Sequence, residues 1–202
     1  MKSKGLIITL AVVGAILLIA IMVIGWGVGT YNKLVALDQG VSSAWAQVEN
    51  QYQRRYDLIP NLVETVKGYA KHEQQTLEDV TNARAKVGQM VISPEVLKNP
   101  QSFQMFEKAQ GELTSALTRL MAVSENYPNL KANENFLQLQ AQLEGTENRI
   151  AVERRRFNEV VQAYNTTIKT IPTSLIAGFG GFGPKAYFQA ETQAQSAPQV
   201  KF

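Results

Sequence analysis

The sequence LIITLAVVGAILLIAIMVIGWGV occupies residues 6–28 and contains no charged side chain. As an α-helix, these 23 residues extend about 34 Å, which is enough to cross a hydrocarbon core of about 30 Å with some tilt. The sequence therefore predicts one transmembrane helix over residues 6–28, preceded by a short basic tail over residues 1–5. The first expected partner of the chain is a lipid bilayer.

A cleaved secretory signal peptide is the alternative interpretation of this segment. Such peptides have an apolar core of only about 7 to 15 residues, followed by a cleavage site with small residues. Gly25, Gly27 and Gly29 resemble a cleavage region, but the apolar core is too long, so we expect an uncleaved signal anchor. Lys2 and Lys4 precede the span, and the positive-inside rule then predicts a cytoplasmic N-terminus and a translocated C-terminal domain.

Composition limits the functions open to the domain behind the span. Two of the 20 Lys and Arg residues precede the span, so 18 basic groups stand against 17 acidic groups and the net charge of the remaining domain is +1. This balance argues against nucleic acid as a partner. Cysteine is absent, which excludes disulfide bonds, thiolate metal sites and a cysteine nucleophile.

From Leu34 to Val80, apolar residues recur every three or four positions, which is the period of an α-helix rather than of a β-strand. The pattern predicts a first long helix over about residues 31–88. Pro60 interrupts the pattern, because proline lacks the backbone N–H donor and its ring clashes with the preceding turn. We therefore expect the helix to be kinked or broken near Pro60, and a complete break would give four helices instead of three.

Two further long helices follow the same period. Ser93–Pro94 predicts the start of a short helical connector. The second long helix is predicted over about residues 101–126, and the third over about residues 133–171 with Asn133 as its N-cap. Because each helix has one apolar face and the connections are short, we expect an all-α fold in which an antiparallel bundle of three to four long helices, over residues 31–172, follows the transmembrane helix.

Glycine and aromatic residues dominate the sequence after Pro172. The glycine-rich run from Ala177 to Pro184 predicts that no helix continues through it, and it lacks the Lys-Ser or Lys-Thr pair of a phosphate-binding loop. We expect residues 173–188 to form a docking segment and the polar residues 189–202 to form a mobile tail. The aromatic side chains of the docking segment pack either on their own bundle or on a neighbouring subunit or partner. These side chains are Phe179, Phe182, Tyr187 and Phe188.

The sequence contains no recognisable catalytic or metal-binding motif. His72 is the only histidine, and the position four residues later holds Thr76 instead of the second histidine that a zinc-binding helix requires. None of the serines lies in the strained turn that activates a hydrolase nucleophile. We therefore expect no enzymatic activity, no cofactor and no bound metal.

Charged residues of the first and third helices form a set of candidate interaction residues. Glu153 occupies a position in the apolar stripe, where an unpaired charge is costly. The set is either a solvated face with i,i+4 pairs or a partly buried layer of Arg and Glu that fixes helix register or faces an adjacent chain. Its members are Arg54, Arg55, Glu144, Glu147, Arg149 and Glu153.

Several segments resemble the LemA family of bacterial membrane proteins. The most specific is QRRYDLIPNLV at residues 53–63, and others are YNKLV at residues 31–35, EGTENRIA at residues 144–151 and the Gly178–Phe188 segment. The resemblance implies a single N-terminal span followed by an α-helical bundle. It also implies a family without an established enzymatic activity or catalytic residues.

Polar residues lie on both sides of Pro60 within the most specific segment. Their simplest role is to satisfy the interrupted helical turn and to link it to residues 144–149. These residues are Arg54, Arg55, Asp57 and Asn61.

These features favour a non-enzymatic, membrane-anchored protein of the bacterial envelope that self-assembles and organises, shapes or scaffolds at the membrane. Long narrow apolar stripes suit packing between chains, so we expect a homo-oligomer, with a second membrane protein as a further candidate partner. The alternative is an accessory subunit of a membrane peptidase, transporter or sensor. The expected location is the bacterial inner (cytoplasmic) membrane, with the bundle on the periplasmic or extracytoplasmic side.

Overall fold

The computed structural model describes residues 2–90, 96–97 and 99–189, with side chains described from residue 8 onward. Every regular element among these residues is helical, which confirms the all-α fold class. The predicted connector at Ser93–Pro94 and the predicted tail beyond residue 189 lie outside the described residues. The helices are α1 (Lys2–Tyr69), α2 (Gln74–Gly88), α3 (Pro100–Val123), α4 (Pro128–Lys131), α5 (Glu134–Lys169) and α6 (Thr173–Gly180), with a 3-10 turn at Ser124–Asn126.

The chain divides into two compact units. The span unit combines α1 up to Gly40 with Gln162–Pro184, and the bundle unit combines Val41–Val161 with the segment that starts at Lys185. Within the part of the chain that the structure describes, α1 is the one helix long and apolar enough to cross a membrane. Its large apolar side chains are exposed along the predicted span, as expected for a surface that contacts lipid.

In the span unit, α6 lies against the end of the predicted span. The ring of Phe182 meets the ring of Tyr31 edge-on, with 5.5 Å between the ring centres. The hydroxyl of Tyr164 donates a hydrogen bond to the carbonyl oxygen of Gly183 over 3.0 Å. Burial, together with the negative charge of Asp38, raises the pKa of Tyr164 to about 12. The chain after α6 is therefore held by both α1 and α5.

The glycine-rich run is helical up to Gly180, so the prediction that no helix continues through it is wrong for the first half of the run, although the helix does end within it. Helix α6 extends to Gly180 and ends at Gly181, which has a φ of 72°. The N–H of Phe182 then donates to the carbonyl oxygen of Ala177 over 3.0 Å, which is the hydrogen bond of a Schellman end. Glycine thus acts here as the C-terminal cap of a helix, since a left-handed residue at that position strains any other side chain.

Helix α1 runs without interruption through Pro60, so of the two alternatives at this residue a complete break is wrong. The missing N–H of Pro60 deprives the carbonyl oxygen of Tyr56 of its intrahelical donor. Arg84 of α2 supplies another donor: its Nε lies 3.3 Å from that oxygen, and its guanidinium lies 3.9 Å from the centre of the Tyr56 ring. Ile59 and Leu62 are buried on either side, so tertiary packing offsets the local cost of the proline.

The first long helix ends at Tyr69, well before the predicted end near Gly88, because the chain turns at residues 70–73 and continues as α2. Val66 and Val80 belong to one apolar core, whereas a straight helix would separate them by about 20 Å along its axis. The turn places both on the same core. The turn at residues 70–73 contains neither proline nor glycine. The apolar spacing also continues across the turn, so the sequence does not indicate that a helix ends there.

The bundle unit contains two packed regions. One is an apolar core with residues of α1, α2, α3, α4 and α5, in which α2 packs on α3. The other is the Trp45 cluster, whose four other rings lie 5.5 to 6.0 Å from the Trp45 ring, centre to centre. The Trp45 cluster consists of Trp45, Phe103, Phe106, Phe157 and Phe188.

Asparagine side chains cap the N-terminal ends of the long helices α3 and α5. Asn133 Oδ1 accepts a hydrogen bond from the N–H of Phe136 over 2.9 Å, which confirms the predicted N-cap. Asn99 Oδ1 accepts from the N–H groups of Gln101 and Ser102 at the start of α3. Each cap satisfies backbone donors that have no partner within the helix itself.

We expect Arg84→Ala to lower the free energy of unfolding by about 1 kcal/mol, because it removes the donor to the Tyr56 oxygen. In a Pro60→Ala background, the N–H restored at position 60 donates to the same oxygen, so the same substitution should cost measurably less. Denaturant unfolding of the full-length chain in detergent, followed by circular dichroism, measures both costs. Equal costs in the two backgrounds would contradict this role for Arg84.

Candidate functional site

A buried arginine lies at the centre of the bundle unit. Arg55 continues the buried face of α1 between Tyr52 and Ile59, and only 1% of its surface is exposed. A charged group in such a position is costly unless acceptors match its hydrogen-bond donors; here acceptors reach both terminal nitrogens, whereas Nε has no partner among the described residues. The positions of those acceptors are therefore tied to the position of Arg55.

Side chains from two other helices supply the acceptors. Arg55 Nη1 donates to Thr114 Oγ1 of α3 over 2.8 Å and to Glu147 Oε1 of α5 over 2.8 Å. Arg55 Nη2 donates to Gln110 Oε1 of α3, and the guanidinium lies 5.1 Å from the centre of the Tyr52 ring. The Arg55 cluster, defined as Arg55, Gln110, Thr114 and Glu147, thus connects three helices.

The other candidate residues near Pro60 lie on the opposite side of α1 from the Arg55 cluster. Arg54, Asp57, Pro60 and Asn61 are all exposed, and Asp57 accepts a hydrogen bond from Gln53 within the same helix. They do not satisfy the interrupted turn, which Arg84 does instead. Sequence reasoning missed Arg84, because the arginine comes from another helix.

The candidates on α5 separate in the same way. Glu147 joins the Arg55 cluster, whereas Glu144 and Arg149 are exposed, and Glu144 accepts a hydrogen bond from Gln140 one turn earlier. Glu153 is half-buried, and its Oε2 has no hydrogen-bond partner among the described residues. Of the charged set, the structure therefore brings together only Arg55 and Glu147.

The segment after α6 is hydrogen-bonded to the bundle unit through the backbone of Phe188. Asn158 of α5 donates from Nδ2 to the carbonyl oxygen of Phe188 and accepts the N–H of Phe188 at Oδ1, both over 2.9 Å. The Phe188 ring then stacks on Trp45. Arg154 covers the Phe188 ring and contacts Glu107 over 3.4 Å. This segment completes the Trp45 cluster.

The four aromatic candidates of the docking segment have different surroundings. Phe188 is buried in the bundle unit, and Phe182 packs on Tyr31 in the span unit. Tyr187 is exposed, and Phe179 is the most exposed of the four, with 93% of its surface accessible. Packing on the chain's own helices therefore accounts for Phe182 and Phe188 only.

A cleft of about 660 Å³ opens beside the Arg55 cluster, lined also by Tyr52, Glu107, Lys108 and Arg154. Burial raises the pKa of the Glu107 carboxyl and that of the Tyr52 hydroxyl. Arg154 in the cleft wall donates to Glu107 and to the carbonyl oxygen of Gln189. The guanidinium groups of Arg55 and Arg154 thus connect helices and the segment at Gln189 to one another, so their role is structural.

Neither a metal centre nor a histidine-based site is formed by the residues that the structure describes. No group of three His, Asp or Glu side chains is placed to hold a metal within those residues. His72 is exposed in the turn between α1 and α2. It therefore lies outside the lining of the cleft.

The chain has relatives in several bacteria. A model of the LemA family matches residues 44–202. Magnetosome protein MamQ 2 of Paramagnetospirillum magneticum is 27% identical over 186 residues, which covers 84% of this chain and 68% of the relative. Magnetosome protein MamQ of Magnetospirillum gryphiswaldense is 25% identical with the same coverage. Protein LemA of Metamycoplasma hominis is 26% identical over 166 residues, covering 81% of this chain and 70% of the relative.

Replacing the buried arginine should be far more costly than replacing its exposed neighbour. We expect Arg55→Ala to lower the free energy of unfolding by about 3 to 5 kcal/mol, because three acceptors lose their donor inside the bundle. Arg54→Ala, the matched control, should change it by less than about 0.5 kcal/mol. Thermal or denaturant unfolding in detergent measures both, and similar losses for the two variants would show that Arg55 has no special structural role.

Removing the two hydrogen bonds between the Asn158 side chain and the backbone of Phe188 should release residues 185–189 from the bundle unit. In a Trp26→Phe background, which leaves Trp45 as the one tryptophan of the sequence, we expect Asn158→Ala to shift the fluorescence to longer wavelength, because the stacked Phe188 ring leaves and water enters. Cleavage by trypsin after Lys185 should become several-fold faster. Gln142→Ala, at an exposed position of the same helix, is the control and should leave both signals unchanged; an unaltered spectrum in Asn158→Ala would refute the assignment.

Proposed function

The chain belongs to the LemA family, and from this premise we propose that it is a non-enzymatic, membrane-anchored helical-bundle protein of the bacterial envelope that assembles with copies of itself. In the assembly, the bundle organises, shapes or scaffolds at the membrane. The coarser part of this description has direct support: the apolar helix near the N-terminus and the family indicate a membrane-associated protein. LemA is not known as a family of enzymes.

The sites with charged groups support a structural role. The Arg55 cluster uses its guanidinium to connect α1, α3 and α5, and Arg154 connects α5 to Glu107 and Gln189. Such groups give a bundle a defined helix register. A bundle with a fixed register presents the same outer surface in every copy, which repeated contacts between copies require.

A strip on the outer face of α5 is the observation that carries the self-assembly proposal. The α5 strip, defined as Leu137, Ala141, Gly145, Asn148 and Val152, is exposed and uncharged. Its members are spaced by three or four residues, so they follow one face of the helix. The neighbouring exposed positions of α5 include the charged residues Glu144, Arg149 and Arg155. The α5 strip differs from these neighbours because it carries no charge.

The composition of the α5 strip suits contact with another helix. Ala141 and Gly145 are small, and a Cβ added at Gly145 would meet no atom within 4 Å, so a second backbone can approach closely there. Leu137 and Val152 supply apolar area at the two ends. A polar Asn within an apolar seam selects one register of pairing. The apolar stripe on the inner face of α5 is used within the chain, so this outer strip replaces it as the proposed contact between copies.

We propose the bacterial inner membrane as the location, with the N-terminus in the cytoplasm and the bundle on the other side. The basic residues before the span support this orientation. Fusion of a reporter that is active only outside the cytoplasm to the C-terminus of the full chain tests it. Activity supports the orientation, and a silent reporter in a stably expressed fusion would reverse it.

The mass of the full-length protein in mild detergent tests self-assembly. We expect a discrete multimer by size exclusion with light scattering, and we expect Gly145→Arg to reduce it to smaller species. Gln142→Arg is the matched control, because it adds the same charge at an exposed position of α5 outside the strip. Its multimer should persist.

Three results would contradict the proposal or the contact on which it rests. A monomer in mild detergent, together with the absence of cross-linked copies in membranes, would contradict self-assembly. A foreign membrane protein that is recovered in stoichiometric amount, without self-association, would instead favour an accessory subunit of a membrane peptidase, transporter or sensor. A multimer that survives Gly145→Arg would show that the α5 strip is not the contact.

A further inference from the structure

Three large apolar side chains at and before α6 project away from the protein. Ile171 is 87% exposed, Leu175 61% and Phe179 93%. Leu175 and Phe179 are four residues apart on α6 and therefore share one face of the helix, and Ile171 lies two residues before the helix begins. The α6 apolar face, defined as these three residues, is a costly surface to leave in water.

The segment that carries the α6 apolar face is free of charge. Residues 170–184 contain no Asp, Glu, Lys or Arg, and charges return only with Lys169 on one side and Lys185 on the other. Most exposed segments of this protein carry charged side chains, as surfaces in water usually do. An uncharged segment with exposed apolar side chains is instead compatible with contact to lipid.

A neighbouring face of α6, about 100° around the helix from Leu175 and Phe179, contacts the end of the membrane span. Ile176 Cδ1 lies 3.9 Å from the position of a Cβ added at Gly27, and Tyr31 Cε2 lies 3.2 Å from that of a Cβ added at Gly180. Trp26 and Tyr31 are the exposed aromatic residues at this end of the span, where aromatic side chains mark the boundary between lipid and water. All these contacts lie within the span unit, so α6 is placed at the level of that boundary.

We propose that α6 lies in the interfacial layer of the bilayer beside the transmembrane helix, with Ile171, Leu175 and Phe179 inserted between the lipids. This inference rests on the proposed membrane anchoring of the chain. Interfacial helices bury their apolar face about 5 to 10 Å into the boundary between headgroups and acyl chains, and aromatic residues such as Trp26 and Tyr31 are enriched at the same boundary. The protein then contacts the membrane at two places, and the second contact restricts rotation of the span about its own axis.

Lipid suits the α6 apolar face better than a second protein chain does. A stable protein interface buries about 800 Å² on each partner, which is far more than three side chains provide. A bilayer sets no such minimum, because the span already holds α6 at its surface and no further association step is needed. Lipid contact is thus a continuation of the contact that the span itself makes.

Single nitroxide labels test the location of α6, since the chain has no cysteine and one can be introduced at any site. We would label Leu175→Cys and Phe179→Cys in the full-length protein, reconstituted in vesicles of phosphatidylcholine and phosphatidylglycerol. Collisions with oxygen report exposure to lipid, and collisions with a water-soluble nickel chelate report exposure to water. Ile21→Cys in the span is the lipid reference, and Gln138→Cys on exposed α5 is the water reference.

We expect the ratio of oxygen to nickel collisions at both α6 labels to exceed that at Gln138→Cys several-fold and to approach that at Ile21→Cys. A ratio equal to the water reference, with Ile21→Cys still in lipid, would overturn the inference and leave membrane anchoring intact. A water-like ratio at Ile21→Cys would instead refute the anchoring itself. Low collision rates with both reagents, accompanied by spin–spin broadening that disappears on dilution with unlabelled protein, would show that a second copy covers this face and would overturn the inference.

Discussion

The burial of Arg55 is the constraint on which the bundle depends. Its guanidinium lies inside the bundle unit, where it needs acceptors at fixed distances, and α3 and α5 provide them through Gln110, Thr114 and Glu147. A buried arginine is costly unless its partners stay in place. The hydrophobic core holds the helices together, and we propose that the Arg55 cluster fixes how far along its axis each helix sits.

The same principle of a polar group satisfied from another helix operates twice more. Arg84 of α2 donates to the Tyr56 oxygen that Pro60 leaves without a partner, and Asn158 of α5 pairs with the backbone of Phe188. In each case, a backbone group that lacks a partner nearby in the chain is hydrogen-bonded by a side chain from a distant part of the chain. Close approach at these contacts also depends on small residues: a Cβ added at Gly88 of α2 would lie 2.7 Å from the Tyr56 hydroxyl.

Much of the fold could be predicted because the spacing of the apolar residues shows both that a segment is helical and which of its faces is buried. The period even marks Arg55, since Arg55 fills the gap of seven residues between Tyr52 and Ile59 in the buried face of α1, whereas Arg54 falls outside that face. Its partners Gln110 and Thr114 could not be predicted, because their selection depends on the register of α3 against α1. The turn at residues 70–73 and the extension of α6 were missed for a related reason: both depend on tertiary contacts, and the glycines of α6 suggested a loop where one left-handed glycine ends a helix.

The stacking of Phe188 on Trp45 also determines when the Trp45 cluster can be completed during synthesis of the chain. Trp45 is synthesised long before Phe188, so its ring cluster stays incomplete until that residue has been added. Contacts with such a large sequence separation form late and slowly. Until Phe188 arrives, one face of Trp45, Phe103 and Phe157 stays uncovered. A chain that stops before Phe188 therefore leaves an aromatic surface open, which Phe188 covers once it is in place.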